Sequence, residues 1–330
     1  MAPRQRVAKQ AGKRAATSPA PTKPEAEQHG VASAVALLIV AFLIAGLPAL
    51  VAPHWDAFID QWLGTDDFTV YVAGNFAVAF ATTVVGNLMW LAAYIVQWPY
   101  LEQFKVNAAA PWPWTLPAKE RGRFWHLVRA SVGWSVVNGM IILPVASALN
   151  WDVAKFFGFR ARGPFPSMAE IAGSLVIFAL VEDFLFYFAH RLLHENKTLY
   201  VKVHKMHHVY TYTVAIAVLH LRAFFFFNLI KGPSLELTNE RKDPVEFFLC
   251  NAIPVGLGPT LLGAHAYTHW LWVVLRILQS QEAHSGYAFP WSPFRFLPLN
   301  EDGSSHEAHH VRCCAVITSL TRACFEKKSH

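Results

Sequence analysis

Two apolar runs shape the first part of the chain. Val31 to Ala52 and Val70 to Trp98 contain no Asp, Glu, Lys or Arg. Each exceeds the roughly 20 residues a helix needs to cross the hydrocarbon core, so each predicts a spanning helix. A third apolar stretch runs from about Phe124 to Leu149 and a fourth from about Ile171 to Ala189. Lys155, Arg160 and Arg162 lie between them. Basic residues collect in cytosolic loops, so this pair reads either as two crossings or as a hairpin that only dips into the bilayer. Phe247 to Leu275 is again uncharged but too short for two full spans. Pro254 and Pro259 predict a break in its middle, hence a re-entrant segment or short helical hairpin.

The composition agrees with this pattern. Only 15% of the residues are charged and 54% are hydrophobic, whereas a soluble domain carries about 25% charge. The fold class expected is all-α, a polytopic membrane helical bundle. The net charge of +6 comes largely from residues 1–30, with Arg4, Arg6, Lys9, Lys13, Arg14 and Lys23. That segment has no apolar period and reads as a disordered basic tail that fixes topology; nothing in it indicates a nucleic-acid partner. The N-terminus is therefore expected in the cytosol. The loop from Pro53 to Thr69, with four Asp and no Lys or Arg, is expected on the far side. The loop after Trp98 holds Lys105, Lys119, Arg121 and Arg123 and returns to the cytosol. It also holds Pro111-Trp112-Pro113-Trp114, a stiff aromatic segment suited to the membrane interface. The first apolar run starts too late and is too long for a signal peptide. None of the four cysteines falls in a CxxC pair, which argues against a zinc finger.

Candidate chemistry lies in the histidines, sixteen in all. His190 and His194 form HxxxH. His204, His207 and His208 form HxxHH, and His306, His309 and His310 repeat it. Residues three and four apart share a helix face, so each box aims its imidazoles at one point. The boxes together supply eight imidazoles, more than one ion usually takes. Imidazole suits iron, zinc or copper, and a structural zinc would normally be closed by four ligands, often sulfur. A cytosolic di-metal site of iron is the expectation. Glu182 and Asp183 sit at membrane depth two turns before His190; carboxylates there usually serve a purpose. They read either as groups that orient a ligating imidazole or as an interfacial pair reaching water.

The run from Glu182 to His194, followed by His204-Lys205-Met206-His207-His208, resembles the fatty acid hydroxylase superfamily. Ala283-His284-Ser285-Gly286-Tyr287-Ala288-Phe289-Pro290-Trp291-Ser292 resembles the signature of its C4-methylsterol monooxygenases, and Asp243-Pro244-Val245-Glu246 fits the same group. The resemblance covers roughly residues 70 to 310. It implies an oxygenase domain over 31–310 and two iron ions, with His284 added to the metal shell. The reaction implied is oxidation of the C4 methyl group of a sterol precursor with O2 and electrons relayed by cytochrome b5 from NAD(P)H. It also implies a multi-pass protein of the endoplasmic reticulum membrane working beside other sterol C4-demethylation enzymes. His265 is expected to be a core residue or to sit just behind the metal ligands.

Two segments depart from the family pattern. Residues 218–242, including Phe224-Phe225-Phe226-Phe227, form an atypical insert: either a translated intron or a genuine loop. After His310 a divergent tail, 311–330, replaces the Gly- and aromatic-containing segment of the family. It ends Lys327-Lys328-Ser329-His330, which fits a dilysine retrieval signal. Other readings stay open: hydroxylation or desaturation of a sterol side chain or other lipid, or an inactive splice product. The 12 Trp and 25 Phe read either as a slot for a flat ring system or as interfacial anchors.

Overall fold

A computed structural model describes residues 23–200, apart from Thr65, Asn107, Ala109 and Ala110, and residues 251–296. The basic tail up to residue 22, the second and third histidine boxes, the insert 218–242 and the tail 311–330 lie outside the described residues. Among the described residues the secondary structure is helical, with no strand beyond two isolated bridges.

Eight helices carry the architecture: α1 (Lys23–Ala41), α2 (Trp55–Trp62), α3 (Asn75–Val96), α4 (Ala118–Val137), α5 (Leu143–Phe156), α6 (Met168–Glu195), α7 (Ile253–Leu261) and α8 (Ala266–Ala283). Three stretches are long and apolar enough to cross a membrane: Gly30–Trp62, Asp67–Val96 and Met168–Glu195. They match the first, second and fourth expected spans. The third expected stretch is also helical without interruption, as α4 runs through a π turn, Asn138–Ile142, into α5. Leu37 and Leu38 on α1, and Val85, Leu88 and Met89 on α3, stand exposed. An aqueous surface rarely shows such continuous apolar area, and lipid accounts for it.

One end of the bundle carries the acidic loop after α2. Arg162 donates there to Asp60 (2.9 Å), to Asp67 (3.0 Å) and to the Gly64 carbonyl (2.5 Å). Arg160 pairs with Glu170 (2.5 Å). The basic residues between α5 and α6 therefore lie beside the acidic loop, with carboxylates beside them. Of the third and fourth stretches, only the fourth is long and apolar enough to cross a membrane among the described residues. Asp66 caps the turn before α3 through Thr69 N–H (2.7 Å), and the Thr69 hydroxyl first, then that N–H, hold its carboxyl below the usual range.

α8 is the central element. It starts at the acidic-loop end, where Ala266 N–H donates to the Arg160 carbonyl (2.8 Å). It runs parallel to α3 on one side: Trp270 donates to Asn75 (3.0 Å), Gln281 to the Thr83 carbonyl (3.3 Å), and beyond the helix Tyr94 donates to the Ser285 carbonyl (2.9 Å). Two glycines allow the approach. A Cβ at Gly74 would strike the Trp270 ring, and one at Gly86 the Gln281 side chain. Small residues at such contacts let membrane helices come close. At about 1.5 Å per residue the 18 residues of α8 span about 27 Å, close to the roughly 30 Å hydrocarbon thickness. α8 crosses the bundle from end to end despite its polar residues, because protein rather than lipid surrounds them: His269, Thr268, Gln279 and Gln281 are all buried.

The expected break within Pro254–Pro259 does not occur there. Those residues belong to α7, and the chain turns at Leu262–His265, with Gly263 in the left-handed region (φ 54°). Pro254 lies in the first turn, where its missing N–H costs nothing. Pro259 would deprive the Val255 carbonyl of its donor, but Trp272 Nε1 supplies one at 3.0 Å. The helical-hairpin reading holds; only the position of its bend changes.

Candidate metal centre

At the end opposite the acidic loop, the last two turns of α6 carry the first histidine box. His190 is buried (5% exposed) with the Phe186 ring against its edge, 5.0 Å between centroids. His194 lies one turn on, its ring nearly parallel to that of His190 at 4.9 Å. Their Nε2 atoms stand 3.1 Å apart. Arg191, on the next face, pairs outward with Glu195 (2.7 Å) and Tyr187 (2.9 Å). The i,i+4 spacing thus separates an inward imidazole face from an outward charged one.

The spacing of the two nitrogens tests whether the pair suits a metal. Imidazole nitrogens bound at about 2.1 Å to neighbouring positions of one ion lie roughly 3.0 Å apart. The observed 3.1 Å fits that spacing, and without a metal it is also the length of a hydrogen bond between the two rings. Among the described residues no third His, Cys, Asp or Glu joins them in one cluster. The remaining box residues, His204, His207, His208, His306, His309 and His310, fall outside the described residues.

His284 ends α8. It is buried, and its Nδ1 is 2.7 Å from the Ser280 carbonyl. A carbonyl accepts, so a neutral ring carries its proton on Nδ1 and its lone pair on Nε2, the tautomer of an Nε2 ligand. Its level is set by the packing of α8 on α6, which run parallel. Phe178 meets Trp272 (5.8 Å), and Glu182 meets Arg276; in both contacts the α8 residue is numbered 94 higher. Carried two turns on, helix rise alone gives His284 the same depth as His190, and the two do not join in one metal-binding group among the described residues.

The HSGYxFPWS stretch is held by its own geometry. Gly286 adopts φ 79°, outside the range of ordinary residues. The next residues pair with the segment after α3: Val106 N–H donates to the Gly286 carbonyl and Ala288 N–H to the Phe104 carbonyl, both 2.9 Å. The Tyr287 hydroxyl donates to Glu102. Burial first, and then that hydrogen bond, raise its pKa. Tyr287, Phe289 and Trp291 alternate along the extended stretch and stack with Trp90 and Tyr100 (interplanar angles 5° to 17°). Trp112 is buried against Tyr94 and Tyr287, so the Pro-Trp segment packs inward at this end. These rings brace the segment that follows His284.

Glu182 does not touch either imidazole of the first box. Arg276 Nη2 donates to its Oε1 (2.5 Å), and Arg276 Nε stands 2.5 Å from its Oε2. Asp183 beside it is half-buried. His265 caps α8 through Tyr267 N–H (3.2 Å). It is a core residue at the acidic-loop end, about 28 Å of helix away from His284. Sequence reasoning missed Arg276, Glu102 and Tyr94. A signal for Arg276 existed, because it ends the uncharged run that begins at Phe247 and so offers a cation at the depth of Glu182.

No family model matches the chain, and no solved structure matches it. Curated relatives do. The chain is 38% identical over 168 residues to very-long-chain aldehyde decarbonylase GL1-11 of Oryza sativa subsp. indica, covering 51% of this chain and 54% of that protein. It is 36% identical over 168 residues to methylsterol monooxygenase 2-2 of Arabidopsis thaliana, with the same coverage. With methylsterol monooxygenase 2-1 of Arabidopsis thaliana it shares 28% over 253 residues, 77% of this chain and 78% of that protein. The chain spans about half the length, 54%, of the first of these relatives. Over half to three quarters of its length the chain is similar to proteins named methylsterol monooxygenase and very-long-chain aldehyde decarbonylase.

Proposed function

We propose that the chain is a membrane di-iron monooxygenase that oxidises the C4 methyl group of sterol precursors. The observation that supports it best is the approach of His190 and His194, Nε2 to Nε2 at 3.1 Å. Residues 31–310 form the oxygenase domain in this reading. The ligands are His190, His194, His204, His207, His208, His284, His306, His309 and His310, shared between two iron ions. When bound, the irons supply the oxygen activation that breaking a methyl C–H bond demands, which no side chain provides.

The protein's own groups do the rest. The α6 backbone fixes the two rings in one direction, and the Ser280 carbonyl fixes the His284 tautomer. The aromatic stack from Trp90 to Trp291 shields the end of α8 from water. A substrate reaching this end travels from the apolar flanks of α1 and α3, which suits a sterol held in the bilayer. The N-terminus and the metal site face the cytosol, as the basic tail and the Lys- and Arg-bearing loop after α3 require. The membrane is that of the endoplasmic reticulum, and electrons reach the site from cytochrome b5 and its NAD(P)H reductase.

The decarbonylase names among the relatives favour one second reading, chemistry on a long-chain aldehyde. Two measurements separate the readings. Under the first, loss of the protein accumulates 4,4-dimethylsterols; under the second, sterols are unchanged and long-chain aldehydes accumulate. Iron bound to the detergent-purified chain, with turnover dependent on O2 and NADH and abolished by His207→Ala, tests the oxygenase itself. Full activity in that variant excludes a ligand role for His207.

A further inference from the structure

The Glu182–Arg276 pair joins α6 to α8, with the carboxylate buried and the Arg276 side chain 26% exposed. Glu182 is 5% exposed, and both its oxygens lie 2.5 Å from Arg276 nitrogens. Arg276 also stands over the Trp272 ring, 5.5 Å from its centroid. Replacing a buried ion pair by apolar residues of similar volume is often neutral or stabilising. Stability alone therefore does not explain a charged pair here. What such a pair adds is discrimination between registers. Apolar side chains tolerate a slide of one helix along another, whereas a slide of one residue turns each face by about 100° and shifts it about 1.5 Å, stranding both charges.

We propose that Glu182 and Arg276 are positioning residues that lock α6 and α8 in the register placing His190 level with His284. The 94-residue offset of the pair is also that of Phe178 with Trp272. The lock lies two turns below the imidazoles and acts through the helices, not by touching a ligand. Its consequence for metal binding rests on the function proposed above; its consequence for helix register does not.

The test reads register directly. In the full chain with its four native cysteines replaced by serine, Phe178→Cys and Trp272→Cys replace two rings that meet at the same offset. Copper–phenanthroline oxidises these two thiols to a disulfide if the register holds. Bound iron is measured alongside in chains carrying the native Phe178 and Trp272. Cross-linking is expected in the parent, lost in Glu182→Gln, and restored together with iron in the exchanged pair Glu182→Arg/Arg276→Glu. The apolar pair Glu182→Leu/Arg276→Met tests packing without the lock, and even if Glu182→Gln does not fold, this double variant decides. Undiminished cross-linking and iron in it overturn the proposal; a folded chain with loss of both supports it. Cross-linking that follows the ion pair in a parent that binds no iron upholds the lock and refutes the di-iron reading.

Discussion

Replacing Gly74 by alanine tests the central contact of the bundle. A Cβ there would overlap three atoms of the Trp270 indole. The ring cannot give way easily. It is buried, it meets Trp55 at 5.3 Å, and its Nε1 donates to Asn75 Oδ1 (3.0 Å). Overpacking of this kind costs about 1–3 kcal/mol. Pushing the indole aside also weakens its hydrogen bond, worth about 1 kcal/mol net. Against this, alanine in a helix gains about 1 kcal/mol over glycine. The balance is a loss of about 1–3 kcal/mol. Gly173→Ala is the control. It lies on an exposed face of α6 with nothing within 4 Å of the added carbon, so only the gain of up to about 1 kcal/mol remains. Reversible unfolding in mixed micelles with increasing SDS reads both. The two variants are expected to move in opposite directions. A Gly74→Ala chain as stable as the parent would refute the close approach of α8 to the residues leading into α3.

Further outcomes follow from the same contacts. Trp272→Phe leaves the Val255 carbonyl without its donor beside Pro259 and is expected to destabilise α7 by about 1–3 kcal/mol, measured by the same SDS titration; Leu175→Ala is no substitute control, since it opens a cavity, so the comparison is with Pro259→Ala/Trp272→Phe, where the restored backbone N–H recovers most of the loss. His194→Ala is expected to reduce iron bound per chain, whereas His54→Ala, an exposed histidine at the acidic-loop end, leaves it unchanged; equal iron in both variants refutes the assignment of the first box. Removal of metal by a chelator during purification should abolish O2-dependent turnover, and adding Fe(II) alone should restore it. Tyr287→Phe breaks the hydrogen bond to Glu102 and is expected to cost about 1 kcal/mol of stability while leaving bound iron intact, because the backbone pairing with Phe104 and Val106 remains.

Much of this protein is legible from the order of its residues. Uncharged runs of sufficient length become helices whatever their neighbours, because lipid leaves backbone groups no other partner. Histidines four apart share a face for the same local reason, and α6 presents His190 and His194 together as that spacing requires. Tertiary structure alone decided how distant segments meet. Two residues that read locally as a misplaced basic loop, Arg160 and Arg162, find carboxylate partners: Glu170 for the first, Asp60 and Asp67 of the acidic end for the second. Pro259 reads as a helix breaker until a tryptophan thirteen positions later supplies the missing donor. Glu182 reads as a carboxylate stranded at membrane depth until Arg276, on a helix remote in sequence, meets it there. Local rules fix which conformations and faces a segment offers. Which charges, carbonyls and rings those faces meet depends on the packing of helices far apart in the chain, and that is where the alignment of His284 with His190 is set.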